Sequence, residues 1–407
     1  MTSPSPTEVP HLLVGVGGGI AAYKICEVIS AQVKAGWQVS AILTETAAQF
    51  ITPLTLSTLC RRAVLTDADF WHPQAPRPLH IELAETATLM LIAPLTANTL
   101  AKLVLGLADN LLTSTVLASQ MPILVAPAMN TTMWEQPTVQ AHWQQLQQQP
   151  RYHCLPPAYG RLACDSVGVG RMAEPQEIIA YLDSLAYTHG KRDLAGKHLL
   201  ITAGGTREYW DAVRFIGNPA TGKMGIALAR AALHRGAKVT LIHGAIAEAL
   251  PAQVRAIEAI SSKAMFEAVL EVLPEADWLV MAAAVGDVRP AQQWSGKLPK
   301  SALPAALPLS PVPDILQAVA ERRQPHQRLI GFAAQTGDIV TPAREKLERK
   351  GLDLIVANAV DQGGCGFGAA ENAAVVLDRQ GRSRSLAKVP KLILAHQIFD
   401  LAQEWLS

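Results

Sequence analysis

Runs of consecutive apolar residues, more than alternating ones, set the pattern along this chain. His11-Leu-Leu-Val-Gly-Val16 leads into Gly17-Gly18-Gly19, then into an Ala-rich helical segment that stops at Gly36, and Trp37–Thr44 reads as the next strand. The same succession returns later. His198-Leu-Leu-Ile-Thr-Ala203 runs into Gly204-Gly205, a helix from about Met224 stops at Gly236, and Lys238–His243 follows as a strand. Strand, glycine-rich turn, helix, glycine stop and strand make a right-handed βαβ unit, once per half. Further buried-strand candidates are Thr88–Ala93 and Ile123–Ala126 in the first half, and Trp278–Ala283, Leu329–Ala333 and Leu354–Ala357 in the second. Short apolar strands alternating with helices predict an α/β chain of two doubly wound domains, with mainly parallel sheets covered on both faces. Ligands then belong at the carboxyl ends of the strands. The polar stretch Ala186–Asp193 is the expected linker, giving domains 1–190 and 191–407.

Length and composition agree with that division. The 407 residues exceed what one core serves, and 49% hydrophobic against 17% charged residues give each half a sizeable core. Lys and Arg number 35 against 34 Asp and Glu, a net charge of +1, which argues against a nucleic-acid binder. The cysteines Cys26, Cys60, Cys154, Cys164 and Cys365 are scattered without a CxxC pair, which suits a reduced, cytoplasmic protein and no structural zinc. The start, MTSPSPTEVPH, lacks the basic and apolar regions of a signal peptide. The most apolar stretch, Leu89–Ala108, is broken by Pro94, Thr96, Asn98 and Lys102, so no membrane span is expected.

The chemistry-bearing residues of the first half cluster in four motifs. In Gly15-Val-Gly17-Gly18-Gly19-Ile20, Ile20 takes the place of the third Gly of a dinucleotide fingerprint. What remains is a turn able to hold one phosphate on backbone N–H groups, or simply a tight turn. Pro127-Ala-Met129-Asn130-Thr-Thr-Met133-Trp134 follows a strand, where an Asn amide can meet a carboxylate. His80 lies beyond the Pro-rich loop of Pro73, Pro76 and Pro78, and a lone His is ordinarily structural or surface. Cys164 sits in Arg161–Met172, too glycine-rich for core, and so reads as a reactive loop thiol, unlike Cys26 and Cys60 on apolar helical patterns.

Together with GGGIAAYK (17–24), PLTANTLAK (94–102), HIEL (80–83) and LAC…GxGRMAEP (162–175), these motifs resemble the flavin-dependent phosphopantothenoylcysteine decarboxylases over nearly all of residues 11–185. The resemblance implies a flavodoxin-like or Rossmann-like FMN-binding domain. It places FMN on Gly17, Gly18 and Gly19, with Thr44, Pro94, Thr96, Asn98, Ala108 and Asp109 around it. It makes His80 a base or substrate orienter, Asn130 the holder of the substrate carboxylate and Met133 a contact to the cysteine adduct. Cys164 becomes the proton donor. Oxidising the thiol to a thioaldehyde lets the carbanion left by CO2 loss delocalise as an enethiol, with the electronics supplied by the cofactor. Two departures stand out: Gly17 where relatives commonly have Ser, and Asp165 where Gly is usual.

In the second half, Gly217-Asn-Pro-Ala-Thr-Gly222-Lys223-Met224 falls short of a P-loop, because Met224 cannot ligate Mg2+ and only the short Val213–Ile216 precedes it. The wider string from Ile201 to Glu208, Arg214 to Asn218, Ala283 to Pro290, Lys297 to Lys300, Pro313 to Ile315, Gly331-Phe332, Lys346…Lys350 and Asn358 resembles phosphopantothenate–cysteine ligase. The resemblance implies a Rossmann-like, CTP-dependent ligase. It assigns Asn218 to the carboxylate or acyl cytidylate, and Asp287, Lys297, Val312, Pro313, Asp314, Ile315, Phe332, Lys346 and Lys350 to CTP. Asp287 is the candidate Mg2+ ligand. Lys346 and Lys350, four apart, share one helix face, which by itself would read as a solvated basic surface. Gly205, Pro219-Ala220, Pro299 and Val312 depart from the ligase pattern.

Joined, the halves are similar to bifunctional enzymes of coenzyme A synthesis that act on 4′-phosphopantothenate, cysteine and CTP. Such enzymes imply homo-oligomers, with trimeric decarboxylase and dimeric ligase units, and no nucleic-acid or membrane partner. Two other classes compete: a flavin-binding regulatory protein without catalysis, and a nicotinamide oxidoreductase. His80, Asn130 and Cys164 together disfavour the first, and the missing third Gly disfavours the second.

Overall fold

The structure is a computed structural model and describes residues 9–71, 77–359, 366 and 368–406. The chain divides into two compact units, the first ending at Lys191 and the second beginning at Arg192. Among the described residues no helix is long and apolar enough to cross a membrane.

The first unit holds a parallel sheet in the order β2 (Gln38–Leu43), β1 (His11–Val16), β3 (Leu89–Leu95), β4 (Ile123–Pro127) and β5 (Tyr152–Cys154). This is the flavodoxin-like order, in which the crevice falls at the carboxyl ends of the central strands. The sheet is buried on both faces because its apolar runs are continuous. Leu12, Val14, Leu91 and Leu124 face the layer of helices Ile25–Lys34, Pro53–Cys60 and Pro175–Thr188. Leu13, Met90, Ile92 and Val125 face helices Leu79–Thr86, Ala97–Leu105, Leu111–Ala118 and Pro137–Gln147. The Ala-rich segment after Gly19 begins as a 3-10 turn, Ile20–Lys24, before the α-helix starts at Ile25. Helix Pro175–Thr188 runs through the first part of the polar stretch read as linker, and ends on His189 in the left-handed region (φ 52°). The hairpin β6 (Ala158–Arg161) and β7 (Val167–Arg171) stands apart from the sheet.

The second unit is built on a sheet of β8 (His198–Ala203), β11 (Lys238–His243), β12 (Arg255–Glu258), β13 (Trp278–Met281), β16 (Arg328–Gln335), β17 (Leu354–Ala359), β18 (Glu371–Asp378) and β19 (Ser383–Pro390). Its order is β12-β11-β8-β13-β16-β17-β18-β19. It is parallel through β17, and β18 and β19 close it as an antiparallel edge. Leu199 and Ile201 face helices Lys223–His234 and Lys391–Leu406, whereas Leu200 faces helices Ser262–Val272, Ile315–Arg322 and Val340–Arg349. Two small antiparallel ribbons, β9 (Arg207–Tyr209) with β10 (Phe215–Gly217) and β14 (Val288–Pro290) with β15 (Leu309–Pro311), lie outside this sheet. Both follow carboxyl ends of parallel strands, where ligands are expected.

Candidate active sites

In the first unit the turn after β1 meets the end of β3. A Cβ placed on Gly17 would lie 2.4 Å from the Pro94 carbonyl oxygen, so the absent side chain lets the two segments expected to hold the flavin press together. Thr96 caps the helix that follows, accepting the Thr99 N–H at 3.2 Å. The Thr44 hydroxyl is spent locally, donating to the Val16 carbonyl at 3.1 Å and accepting from Ala47 N–H at 3.3 Å. Asn98 and Ala108 are exposed. Asp109 is exposed as well, and its carboxyl is held below the usual range by the Lys102 ammonium at 2.7 Å.

Asn130 and Cys164 are brought together across 34 residues. Asn130 ends the loop after β4 and caps the short helix Thr131–Trp134, where its Oδ1 accepts Thr132 N–H at 2.8 Å. Its Nδ2 donates to the Cys164 thiol sulfur at 3.2 Å. Cys164 lies at the tip of the β6–β7 hairpin, 3.1 Å from the Ser166 hydroxyl. The Ser166 hydroxyl and N–H, and then the Asn130 amide, hold the thiol below its ordinary pKa because each hydrogen bond favours the thiolate. The hairpin is docked by Met129 N–H donating to Gly170 O at 3.0 Å. It can lie this close because Gly170 lacks a Cβ, which would sit 2.2 Å from the Met129 oxygen. At the tip Asp165 takes φ 63°, a region natural to Gly and tolerated by Asp, and Arg161 holds its carboxylate at 2.7 Å.

His80 starts helix Leu79–Thr86, with its ring edge-on to Phe70 at 5.4 Å between centroids. Its Nδ1 is buried without a hydrogen-bond partner. The ring thus contacts neither Asn130 nor Cys164 through any hydrogen bond of this chain. Met133 is 48% exposed, next to Asn130. Of the Pro-rich loop, Pro73 and Pro76 lie outside the described residues, as does Cys365.

In the second unit Asn218 directly follows β10 and lines a cleft of about 450 Å³ with Gly205, Arg207, Phe215, Thr221 and Ile246. Arg207 lies over the Phe215 ring at 4.8 Å. The other predicted nucleotide residues are not in this lining. Asp314, Phe332, Lys346 and Lys350 form a separate cluster. Asp314 caps helix Ile315–Arg322 through Gln317 N–H at 3.1 Å, and pairs with Lys350. The Lys346 ammonium donates to the Phe332 carbonyl at 2.9 Å. Burial lowers the Lys346 pKa, and the nearby Lys350 charge adds to this, with Asp287 and Asp314 opposing. Burial raises the Asp314 carboxyl, but Lys350 and the Gln317 N–H outweigh it and the net shift is downward.

Three expectations need correction here. Asp287 is not at the end of the strand expected at Trp278–Ala283: β13 stops at Met281, and Asp287 is exposed on the loop beyond it, where the Thr206 hydroxyl holds Gly286 N–H at 2.9 Å. The strand's pairing with β16 stops at Met281, and only an isolated parallel bridge of Ala284 with Gly205 carries the β8 register further. The Phe332 ring packs against the layer of helices Lys223–His234 and Lys391–Leu406, while Lys346 rides on the opposite layer, so only the Phe332 carbonyl joins the cluster. Lys297 is exposed on a loop of its own and not grouped with Lys346 and Lys350. Val312 N–H bonds the Asp287 carbonyl at 3.2 Å, which keeps Val312, Pro313, Asp314 and Ile315 beside the Asp287 loop. Among the described residues no group of three or more His, Cys, Asp or Glu side chains is arranged to hold a metal.

Residues 1–187 match the model of the Flavoprotein family, and residues 194–406 match that of the DNA/pantothenate metabolism flavoprotein C-terminal domain. Over 392 residues the chain is 42% identical to the coenzyme A biosynthesis bifunctional protein of Bacillus subtilis, covering 96% of each. The chain belongs to that bifunctional family. Its member from Mycobacterium tuberculosis is 41% identical over 403 residues, 96% of this chain and 95% of that one, and the Vibrio cholerae member 39% over 396 residues, 97% and 98%. Among solved structures, a PPC decarboxylase mutant complexed with pantothenoylaminoethenethiol is 34% identical, covering 44% of this chain and 100% of that chain at a TM-score of 0.41. The C-terminal domain of a coenzyme A biosynthesis bifunctional protein is 33% identical, covering 53% and 98% at a TM-score of 0.45.

For a member of this family, several residues beside the sites were not singled out from sequence. Ser166 polarises Cys164, Arg207 lines the Asn218 cleft, and Thr206 holds the Asp287 loop. Ser166 lies two residues beyond Cys164, and Thr206 and Arg207 lie within the Ile201–Glu208 string, but only folding shows where each side chain points.

Proposed function

We propose that the two activities of this bifunctional coenzyme A biosynthesis enzyme, decarboxylase and ligase, are divided between its two units. The second unit joins cysteine to 4′-phosphopantothenate with CTP, and the first decarboxylates the resulting 4′-phosphopantothenoylcysteine to 4′-phosphopantetheine. The observation that carries this is the Asn130 amide on the Cys164 thiol at 3.2 Å, under a hairpin docked by glycine.

In the first unit FMN is the cofactor that the Flavoprotein match supports, and the turn of Gly17, Gly18 and Gly19 packs on Pro94 and Thr46, while Asn98 and Ala108 are exposed. When bound, FMN supplies oxidation of the substrate thiol and the later return of reducing equivalents. The residues do the rest. Asn130, fixed by its cap bond, keeps an amide aimed where a substrate carboxylate enters, and the same amide steadies the Cys164 thiol. Cys164 delivers a proton to the enethiol carbon, and the Ser166 hydroxyl stabilises the thiolate left behind. His80 would orient or deprotonate a substrate group, and the burial of its unpaired Nδ1 leaves the other ring nitrogen for that role.

In the second unit the substrate carboxylate attacks the α-phosphorus of CTP and pyrophosphate leaves. Cysteine's amine then attacks the acyl carbon and CMP leaves. Asn218 has the amide suited to the carboxylate and acyl cytidylate. Lys346 and Lys350 place two ammonium groups in one half-buried cluster with Asp314, where an incoming triphosphate relieves their mutual repulsion. Lys297 would add a further ammonium from its own exposed loop. Asp287 would hold Mg2+ together with the phosphate oxygens, and the cation would offset charge on the phosphates. Cys164→Ser in the full chain tests the division. Pyrophosphate release should persist while the pantetheine product is replaced by one lighter by two hydrogens, and normal product at normal rate would remove Cys164 from its role.

A further inference from the structure

The turn between β9 and β10 is closed from within by Asp211, whose side chain is 0% exposed. Its Oδ1 accepts the N–H groups of Val213 at 2.8 Å and Arg214 at 2.7 Å. Its Oδ2 accepts Arg214 Nη1 at 3.0 Å and, from a segment 87 residues away, Leu298 N–H at 3.3 Å. Arg214 Nη2 in turn donates to the Leu298 carbonyl at 3.2 Å. Both backbone groups of Leu298 are therefore held by one ion pair. The same loop is tied twice more to this ribbon, through Trp294 N–H to the Trp210 carbonyl at 2.8 Å and Gln293 Nε2 to the Tyr209 carbonyl at 2.7 Å. Lys297 immediately precedes the clamped residue, and Asn218 immediately follows the clamped ribbon.

We propose that Asp211 is a positioning residue of the ligase, fixing the Lys297 loop against the ribbon that presents Asn218. This rests on the reading of Lys297 and Asn218 as ligase residues. A turn alone would need only the two bonds to Oδ1, because those close it. Oδ2 spends its capacity on the other segment. Burial pushes the Asp211 carboxyl up, but the N–H groups of Arg214, Val213 and Leu298 and the Arg214 charge bring it below the usual range. The clamp is therefore ionised whenever the enzyme works. An Asn at this position could keep its oxygen on the turn, but would face an NH2 group toward two donors, Arg214 and Leu298 N–H. The turn would survive and the clamp would open.

The test is a double-mutant cycle in the full-length enzyme, reading KM for CTP from pyrophosphate release in Asp211→Asn, Lys297→Ala and the double variant. If Asp211 acts through Lys297, Asp211→Asn raises the CTP KM about tenfold in the parent but less than about twofold in the Lys297→Ala background. Decarboxylation of supplied phosphopantothenoylcysteine stays unchanged. The same factor in both backgrounds, or no change in the parent, overturns the positioning role and leaves the reading of Lys297 standing. Unchanged CTP kinetics in Lys297→Ala overturns that reading, and the proposal with it. Should Asp211→Asn give no soluble protein, Arg214→Lys keeps the charge but loses the fork that joins Asp211 to the Leu298 carbonyl, and must show the same non-additivity, with an additive result again overturning the role.

Discussion

Replacing Gly170 with Ala should separate Cys164 from Asn130 without unfolding the protein. The added Cβ would lie 2.2 Å from the Met129 carbonyl oxygen, where about 3.0 Å is the closest approach real Cβ atoms make. The hairpin must therefore lift by about 0.8 Å (3.0 − 2.2), because the obstacle is backbone and cannot rotate aside. A lift of that size takes the Met129 N–H to Gly170 O bond from 3.0 Å to about 3.8 Å, which breaks it. Overpacking of this kind costs roughly 1–3 kcal/mol, against a domain stability of about 5–15 kcal/mol, so the fold survives. Catalysis should suffer more, since a misplacement near 1 Å can cost about 100-fold. Gly170→Ala should lower single-turnover decarboxylation roughly 10- to 100-fold with the flavin spectrum intact. Gly168→Ala is the graded control: its Cβ would strike both branches of the Thr131 side chain, Oγ1 at 2.4 Å and Cγ2 at 2.8 Å, and Thr131→Ala, which removes both, should rescue it. Wild-type decarboxylation in Gly170→Ala would refute the idea that hairpin packing is what places Cys164.

Other perturbations have equally definite outcomes. The Cys164 pKa is lowered chiefly by Ser166, so the thiolate persists to lower pH than in free cysteine; Ser166→Ala should move the pH profile of Cys164 alkylation upward, and an unmoved profile would discard that hydrogen bond. On the proposed reading, Lys346→Ala and Lys350→Ala would each remove one charge-assisted phosphate contact worth about 1.5–3 kcal/mol, so apparent CTP affinity should fall roughly 10- to 150-fold in steady-state titrations, and unchanged CTP kinetics would remove both lysines from the site. Lys346→Met should raise the Tm of the nucleotide-free enzyme while weakening CTP. The folded-state pKa of Lys346 is depressed, so its ammonium costs stability most below that pKa, and the advantage of Met should shrink as pH rises toward the unfolded lysine value. A lower Tm for Lys346→Met at neutral pH would contradict this.

Much of the fold could be read from the chain because its parallel strands are continuous apolar runs between glycine stops. Leu12–Val16 and Leu199–Ile201 show the pattern that two-sided burial requires. The antiparallel edge was not read. In β19, Ser383–Pro390, most residues are exposed, so no apolar run betrays it. The two glycine-rich turns and the Asn130 and Cys164 motifs were legible, and the structure explains both departures there: Gly17 through its approach to Pro94, and Asp165 through its left-handed backbone. Side-chain direction was less legible. Phe332 sits in the expected strand, yet period-2 alternation turns its ring to the layer opposite Lys346. Asp287 lies six residues past the end of β13 (281 to 287), because pairing with β16 stops at Met281 and only the bridge of Ala284 with Gly205 continues beyond it. Asp211 was missed altogether, since its partner Leu298 is 87 residues distant and no local spacing encodes that bond.

The most direct test of the central claim is mass spectrometry of the products formed by the full chain from 4′-phosphopantothenate, cysteine and CTP. The two-unit account predicts 4′-phosphopantetheine with CMP and pyrophosphate, and in the Cys164→Ser variant a product lighter by two hydrogens, with CMP and pyrophosphate still released. Failure to release CMP and pyrophosphate from CTP would contradict the ligase assignment. Accumulation of phosphopantothenoylcysteine by flavin-loaded parent enzyme, with no CO2 lost, would contradict the decarboxylase.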